Sequence, residues 1–227
     1  MAGTSSTTTD NADEESPEFP ANAVYRQPAD ELGPRAQRTI ARIVEATREV
    51  FLTHGYAGTT IDEIARAADV SRASFYTYFP SKREVLLAVG ARSVMDTKAV
   101  LRRLPEEGST LAGLRDWVRE YFQLLDGHGA FAFAWTQAAH EDEAIRTAGM
   151  KGHMALSREF GEMLAASAGK ERTDTVELGI AMFSLLERSW SYAHLYSADY
   201  DRDALEEAAT LCLWGAARQV PGKRKPA

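Results

Sequence analysis

The sequence predicts an all-α protein, with an N-terminal three-helix helix-turn-helix unit ahead of a larger helical domain. Three observations carry this. From residue 35 onward, apolar side chains recur at the 3.6-residue period of a helix, with no strand-like alternation. Helix-start signals stand ahead of these stretches at Thr60, Ser71, Ser81 and Thr110. Between Thr59 and Arg83 two short capped helices flank a tight turn, which is the form of a helix-turn-helix.

Residues 1–34 are rich in Ser, Thr, Asp, Glu and Pro and poor in large apolar side chains, so they are expected to form a disordered acidic arm. The first helix runs from Arg35 to His54, with Ile40, Ile43, Val44, Thr47, Val50 and Phe51 on one stripe and Gly55 as its stop. Arg35 and Arg38, near its start, are placed to meet phosphates, whereas Arg42 and Arg48 are expected to pair with Glu45, Glu49 or solvent.

Thr60-Ile61-Asp62-Glu63 is a capping box that opens the second helix, whose Ile61, Ile64, Ala65 and Ala68 share a face. Asp69-Val70-Ser71 breaks it, and Ser71 caps a third helix, Arg72–Phe79, that buries Phe75 and Phe79. Pro80 stops this helix, and Ser81-Lys82-Arg83-Glu84 opens a fourth that continues to Leu101. That length exceeds what a DNA-binding unit requires, so the fourth helix belongs to both halves. Domain boundaries follow at 35–82 and 83–219, with a basic tail at 220–227.

Pro105 to Gly108 ends the fourth helix, and Thr110 caps the next, on which Leu111, Leu114, Val118, Tyr121, Phe122 and Leu125 are periodic. Gly127-His128-Gly129 is expected to break it, leaving Ala130–His140 as a short buried helix. Glu141 and Asp142 start a helix to Ala168, residues 169–172 turn, and two last helices run from Asp174 to Tyr196 and from Asp201 to Val220.

The outer side of the third helix carries Ser71, Arg72, Ala73, Ser74, Tyr76, Thr77 and Tyr78, with no acidic residue, and Lys82 follows. A short helix bearing cations, hydroxyls and aromatic rings suits the major groove, where such groups reach phosphates and base edges. Thr60 stands at a helix start that could hold a phosphate. The net charge of −7 conceals a division: residues 1–34 carry net −6, residues 35–103 net +5 and residues 104–227 net −6. The positive charge lies where duplex DNA would bind.

Val70 to Leu86, V-S-R-A-S-F-Y-T-Y-F-P-S-K-R-E-V-L, together with Gly55 to Ala65, G-Y-A-G-T-T-I-D-E-I-A, resembles the signature of the TetR (tetracycline-repressor-like) transcriptional regulators. The resemblance covers Arg35 to Leu87. It departs mildly from that pattern at Ala73-Ser74-Phe75-Tyr76, where many members carry Gly-Thr-Leu-Tyr, and at Thr77, where a second tyrosine is common. It implies a ligand-responsive regulator, a repressor released by an effector, with an inducer pocket in the second domain. Trp117, Tyr121, Trp135, Met154, Phe183 and Trp190 are the expected lining, with Gln137 or His153 as polar contacts; residues at such helical spacing are more often plain core. An apolar, aromatic pocket suits a small lipophilic effector such as a drug, fatty acyl or sterol-like molecule.

A homodimer is expected through the last two helices. The first of them is apolar on two sides, and the second offers Ala208, Leu211, Cys212, Gly215 and Ala216 for close approach. Two recognition helices would then reach successive major grooves of a double-stranded, inverted-repeat operator.

No enzyme is expected. His128, His140 and His153 beside Glu141-Asp142-Glu143 match no metalloprotease spacing, and no phosphate loop or nucleophile elbow is present, so no catalytic residue, metal or cofactor is assigned. No apolar run approaches the roughly 18 residues of a membrane span, and no signal-peptide core opens the chain. The single cysteine, Cys212, suits a cytoplasmic location. The alternative is an α-helical small-molecule carrier or enzyme that keeps a helix-turn-helix for packing, which would bind no duplex DNA.

Overall fold

A computed structural model describes residues 32–195 and 199–219 of the 227-residue chain. The expected acidic arm (apart from residues 32–34) and basic tail lie outside the described residues, as do Tyr196 and Val220. Nine helices and no strand occur among the described residues: α1 Pro34–Gly58, α2 Ile61–Ala67, α3 Arg72–Tyr78, α4 Lys82–Leu101, α5 Leu104–Glu107, α6 Leu111–Glu141, α7 Glu143–Ser167, α8 Thr175–Leu195 and α9 Arg202–Arg218.

Most boundaries are set by side chains within three residues. Thr60 and Glu63 form the complete capping box of α2. Ser71 accepts from the Ser74 N–H, Thr110 from the Gly113 N–H, and Asp142 from the N–H groups of Ala144 and Ile145. Gly55 interrupts α1 with φ 68°, a left-handed conformation that costs glycine little, and one further turn follows to Gly58. Pro105 lies inside the short helix α5, near its start, where a missing N–H is tolerated.

One expectation fails. Gly127 and Gly129 do not break the chain, and α6 continues for 31 residues, about 46 Å at 1.5 Å per residue. Its second half is not buried all round: Ala134 and Ala138 are buried, whereas Thr136, Gln137 and His140 are exposed.

The reason lies in two cores. The first joins Ile40, Ile43, Val44 and Phe51 of α1 to Ile64, Phe75, Phe79, Val85, Leu86 and Val89, and it takes in Ala134 and Ala138 of α6 and Ile145 of α7. The second gathers Val100, Leu101 and Leu104 with Leu114, Trp117, Tyr121 and Phe122 of α6, Phe160 and Leu164 of α7, Phe183, Leu186 and Trp190 of α8, and Leu213 of α9. Helices α4 and α6 therefore run through both. Burial at each end outweighs the roughly 1 kcal/mol that each glycine costs a helix interior.

Helices α7 and α8 meet backbone to backbone. A Cβ on Gly161 would lie 1.8 Å from the Thr175 carbonyl oxygen, and one on Gly179 would lie 1.7 Å from that of Ser157. Arg172 then ties the end of α9 down, pairing with Asp174 and donating to the carbonyls of Ala216 and Gln219.

Candidate nucleic-acid interface and effector region

Helix α3 is fixed from below by Phe75 and Phe79, both fully buried, with ring centroids 5.7 Å apart. This leaves Ser71, Arg72, Ala73 and Thr77 exposed and Ser74, Tyr76 and Tyr78 half-buried. The tyrosine rings pack on the first core, so α3 uses them for folding as well as for its surface. Thr77 Oγ1 donates to the Ala73 carbonyl. Arg72 Nη1 donates to Asp62 Oδ2 at 2.6 Å, and its guanidinium stands 5.5 Å from the centre of the Tyr76 ring. The Asp62 partner raises the Arg72 pKa further, so the guanidinium stays charged.

Thr60 is engaged by its own capping box. Its N–H and hydroxyl both donate to Glu63 Oε2, at 2.7 and 2.8 Å, and these two bonds hold the Glu63 carboxyl below its ordinary pKa. Arg35 and Arg38 are exposed on the first turns of α1.

Two cations serve the scaffold. Arg42, expected to pair within its own helix or with solvent, instead reaches the helix-turn-helix turn. It donates to the carbonyls of Ala68 and Asp69 and to Asp69 Oδ2, holding the one described non-glycine residue with positive φ, Asp69 at 51°. Lys82, expected on the outer surface, turns its ammonium to the carbonyls of Tyr56 and Thr59, at 2.6 and 2.8 Å, and lies 4.4 Å from the centre of the Tyr56 ring. Burial lowers its pKa. Arg48 pairs with Glu45 as expected.

The second halves of α4 and α6 hold this unit from behind. Gln137 Oε1 accepts the N–H groups of Tyr56 and Ala57, at 2.9 and 3.2 Å, just after the Gly55 kink. His128 Nδ1 lies 3.0 Å from Ser93 Oγ and 3.4 Å from Arg48 Nη1, and its Nε2 lies 3.4 Å from Asp96. Burial lowers the His128 pKa, which favours the neutral ring. Arg83 at the start of α4 pairs with Asp142 at 2.8 Å.

The residues expected to line a pocket divide. Trp117, Tyr121 and Phe183 come together in the second core: the Trp117 and Tyr121 rings stack at 5.4 Å, and Phe183 meets Tyr121 edge-on at 6.1 Å. Trp117 Nε1 also donates to the Val100 carbonyl in the last turn of α4. Trp190 belongs to the same core but gives its Nε1–H to Asp126, which Arg202 also holds.

Trp135 is elsewhere, against the first core, seated where Gly90 and Gly149 leave room. A Cβ on Gly90 would lie 2.6 Å from its ring, and one on Gly149 would lie 2.2 Å from Nε1. Met154 is exposed. Gln137 faces α1 rather than the aromatic group, whereas His153 packs on Phe183, 5.4 Å between centroids. Glu187 carries no signal in the sequence beyond its place on the eighth helix, and its Oε2 lies 4.0 Å from His153 Nδ1. Among the described residues no three His, Cys, Asp or Glu side chains gather as a metal site.

Residues 43–89 match the model of "Bacterial regulatory proteins, tetR family". Over 107 residues the chain is 33% identical to the A-factor receptor protein of Streptomyces griseus, spanning 47% of this chain and 37% of that one. It is 25% identical over 191 residues to the HTH-type transcriptional activator FasR of Mycolicibacterium smegmatis, covering 83% and 86% of the two chains. Its fold is shared with the transcriptional regulator FadR from Bacillus subtilis in complex with stearoyl-CoA: the TM-score is 0.60 at 20% identity, over 78% of this chain and 98% of that one.

Proposed function

We propose that this protein, a transcriptional regulator of the tetR family, binds an inverted-repeat operator as a homodimer and is released from it by a small lipophilic effector. The observation that carries the DNA-binding part is the α3 surface, an exposed arginine and a row of hydroxyls on a helix anchored by two buried phenylalanines. Ser71, Arg72, Ala73, Ser74, Tyr76, Thr77 and Tyr78 enter the major groove, and Arg72 takes a guanine. Arg35, Arg38 and the start of α2 at Thr60 meet phosphates. Lys82 contributes by fixing the last turn of α1 and by its charge at the start of α4.

Residues 35–82 form the DNA-binding unit and residues 83–219 the effector and dimer unit. The partner copy packs on α8 and α9, where Ala208, Leu211 and Cys212 are exposed. The effector lies beside Trp117, Tyr121 and Phe183. A ligand that favours one setting of the second core moves α4 and α6, which reach the first core, and shifts the equilibrium by its difference in affinity for the two settings. The relative FasR is called an activator; the same contacts recruit or block according to where the operator lies, and we assign repression through an operator overlapping a promoter.

The protein acts in the cytoplasm, where its DNA is. Selection of duplex DNA from a random pool tests this reading. An enriched palindrome, bound with an affinity that falls steeply with salt, is expected; a chain that ignores duplex DNA in dilute buffer overturns it.

A further inference from the structure

Glu187 stands on α8 beside the second core, and no arginine or lysine forms an ion pair with it among the described residues. It leaves α8 toward His153 of α7, and its charge is felt by the Tyr121 phenol of α6, so it faces two other helices. The Glu187 side chain is 43% exposed and that of His153 39%, yet desolvation dominates both groups. Water reaching a group that protein atoms largely surround describes a recess rather than a convex surface.

Phe183 stands edge-on to both His153 and Tyr121, with Phe160 behind it at 5.8 Å. Tyr121 is 1% exposed, and its hydroxyl makes no hydrogen bond among the described residues. The phenol oxygen is not among the enclosed polar atoms left without a partner, so solvent reaches it, and a ligand donor can take the place of that water. His153 cannot act as a counter-charge, because burial lowers its pKa and leaves the imidazole neutral. Arg188, next in sequence, is exposed, and its pull on Glu187 is smaller than the effect of burial.

A carboxyl without a cation, bordered by aromatic rings and an unbonded hydroxyl, has the chemistry of a cation site. We propose that this recess is the polar end of the effector site and takes a lipophilic molecule carrying a protonated amine. The ammonium N–H groups donate to Glu187 and the Tyr121 oxygen, its charge lies against the Tyr121 and Phe183 rings, and its apolar body lies along the aromatic core. This rests on the reading of the second core as the effector region. It disfavours a fatty carboxylate or acyl phosphate with its charged end here, since either would set like charge beside Glu187, with which no arginine or lysine forms an ion pair among the described residues.

Matched probes of one chain length test it. Dodecylamine, dodecan-1-ol and dodecanoate, at micromolar concentration and pH 7.5, are titrated into the full-length protein and into Glu187→Gln, with binding followed by calorimetry. Dodecylamine is expected to bind at least roughly tenfold tighter than the other two, since one desolvated ionic contact is worth more than one factor of ten. Glu187→Gln should remove most of that preference while keeping its affinity for dodecan-1-ol, which shows that the variant is folded.

Equal binding of all three, a preference for dodecanoate, or an amine preference that survives in Glu187→Gln overturns the cation site while leaving an apolar effector region in place. Failure of the parent protein to bind any of the three overturns both readings.

Discussion

Arg72 Nη1 lies 2.6 Å from Asp62 Oδ2, so the only arginine of helix α3 is held by a carboxylate of the helix before it. Both side chains are more than half exposed, so water screens the pair and it contributes little. A bidentate guanine contact, at roughly 1–3 kcal/mol, outweighs it. If Arg72 takes a guanine as proposed, the pair should open on a matching sequence and stay closed on a poor one. Asp62→Asn should raise affinity for unrelated duplex several-fold and narrow the gap to the operator, read by fluorescence anisotropy at fixed salt. Arg72→Ala should weaken the operator selectively; equal weakening on every duplex would mean that Arg72 meets only phosphate.

The end of α1 is held from two sides, by Gln137 of α6 at two N–H groups and by Lys82 of α4 at two carbonyls. Gln137→Ala should cost on the order of 1 kcal/mol in urea unfolding, since water replaces part of an exposed bond. It should also reduce the effect of an effector on operator binding, because the link from α6 is cut. A variant that is less stable but fully responsive would place the coupling elsewhere.

Trp135 occupies space left by two glycines. Gly90→Ala is expected to lower stability by about 1–3 kcal/mol, the usual cost of overpacking. Combining it with Trp135→Leu should cost less than the sum, since the smaller side chain relieves the clash. Strict additivity in thermal melts would show that the two positions do not meet.

Leu211 is half exposed on α9 among small residues. Leu211→Glu should yield a monomer in analytical ultracentrifugation and weaken operator binding on the order of 100-fold, since the two half-sites then bind independently. A dimer that survives would move the interface off this face.

Burial raises Glu187 from its ordinary pKa of 4.5 to about 7. The sign follows from linkage: the folded state holds the proton more tightly than the unfolded chain, so its benefit is complete below pH 4.5 and fades as pH rises through 7. Glu187→Gln should therefore gain stability on the parent at pH 8, on the order of 1 kcal/mol after allowing for its open side. The gain should disappear near pH 4.5. A stability difference independent of pH would mean that the carboxyl titrates normally.

The legible parts of the site are local. Ser71 and the Thr60–Glu63 box act within three residues, so the start of α3 and the turn before it are written in adjacent positions. Phe75 and Phe79 are a helical turn apart, which fixes which side of α3 turns outward. The partners of Arg42, Lys82 and Gln137 are 23 to 81 residues away, and no spacing rule could select them.

The sequence by itself determined the all-α class, the capped helix-turn-helix and the face that α3 presents, because helix period and caps depend on neighbours along the chain. Only the tertiary structure decided that α6 runs unbroken past Gly127 and Gly129, that Trp135 leaves the aromatic group for a glycine-lined seat, and that Glu187 meets His153 rather than an arginine or lysine. Each of these depends on which distant surfaces exclude water from which side chains, a property of the packed molecule and of no single stretch.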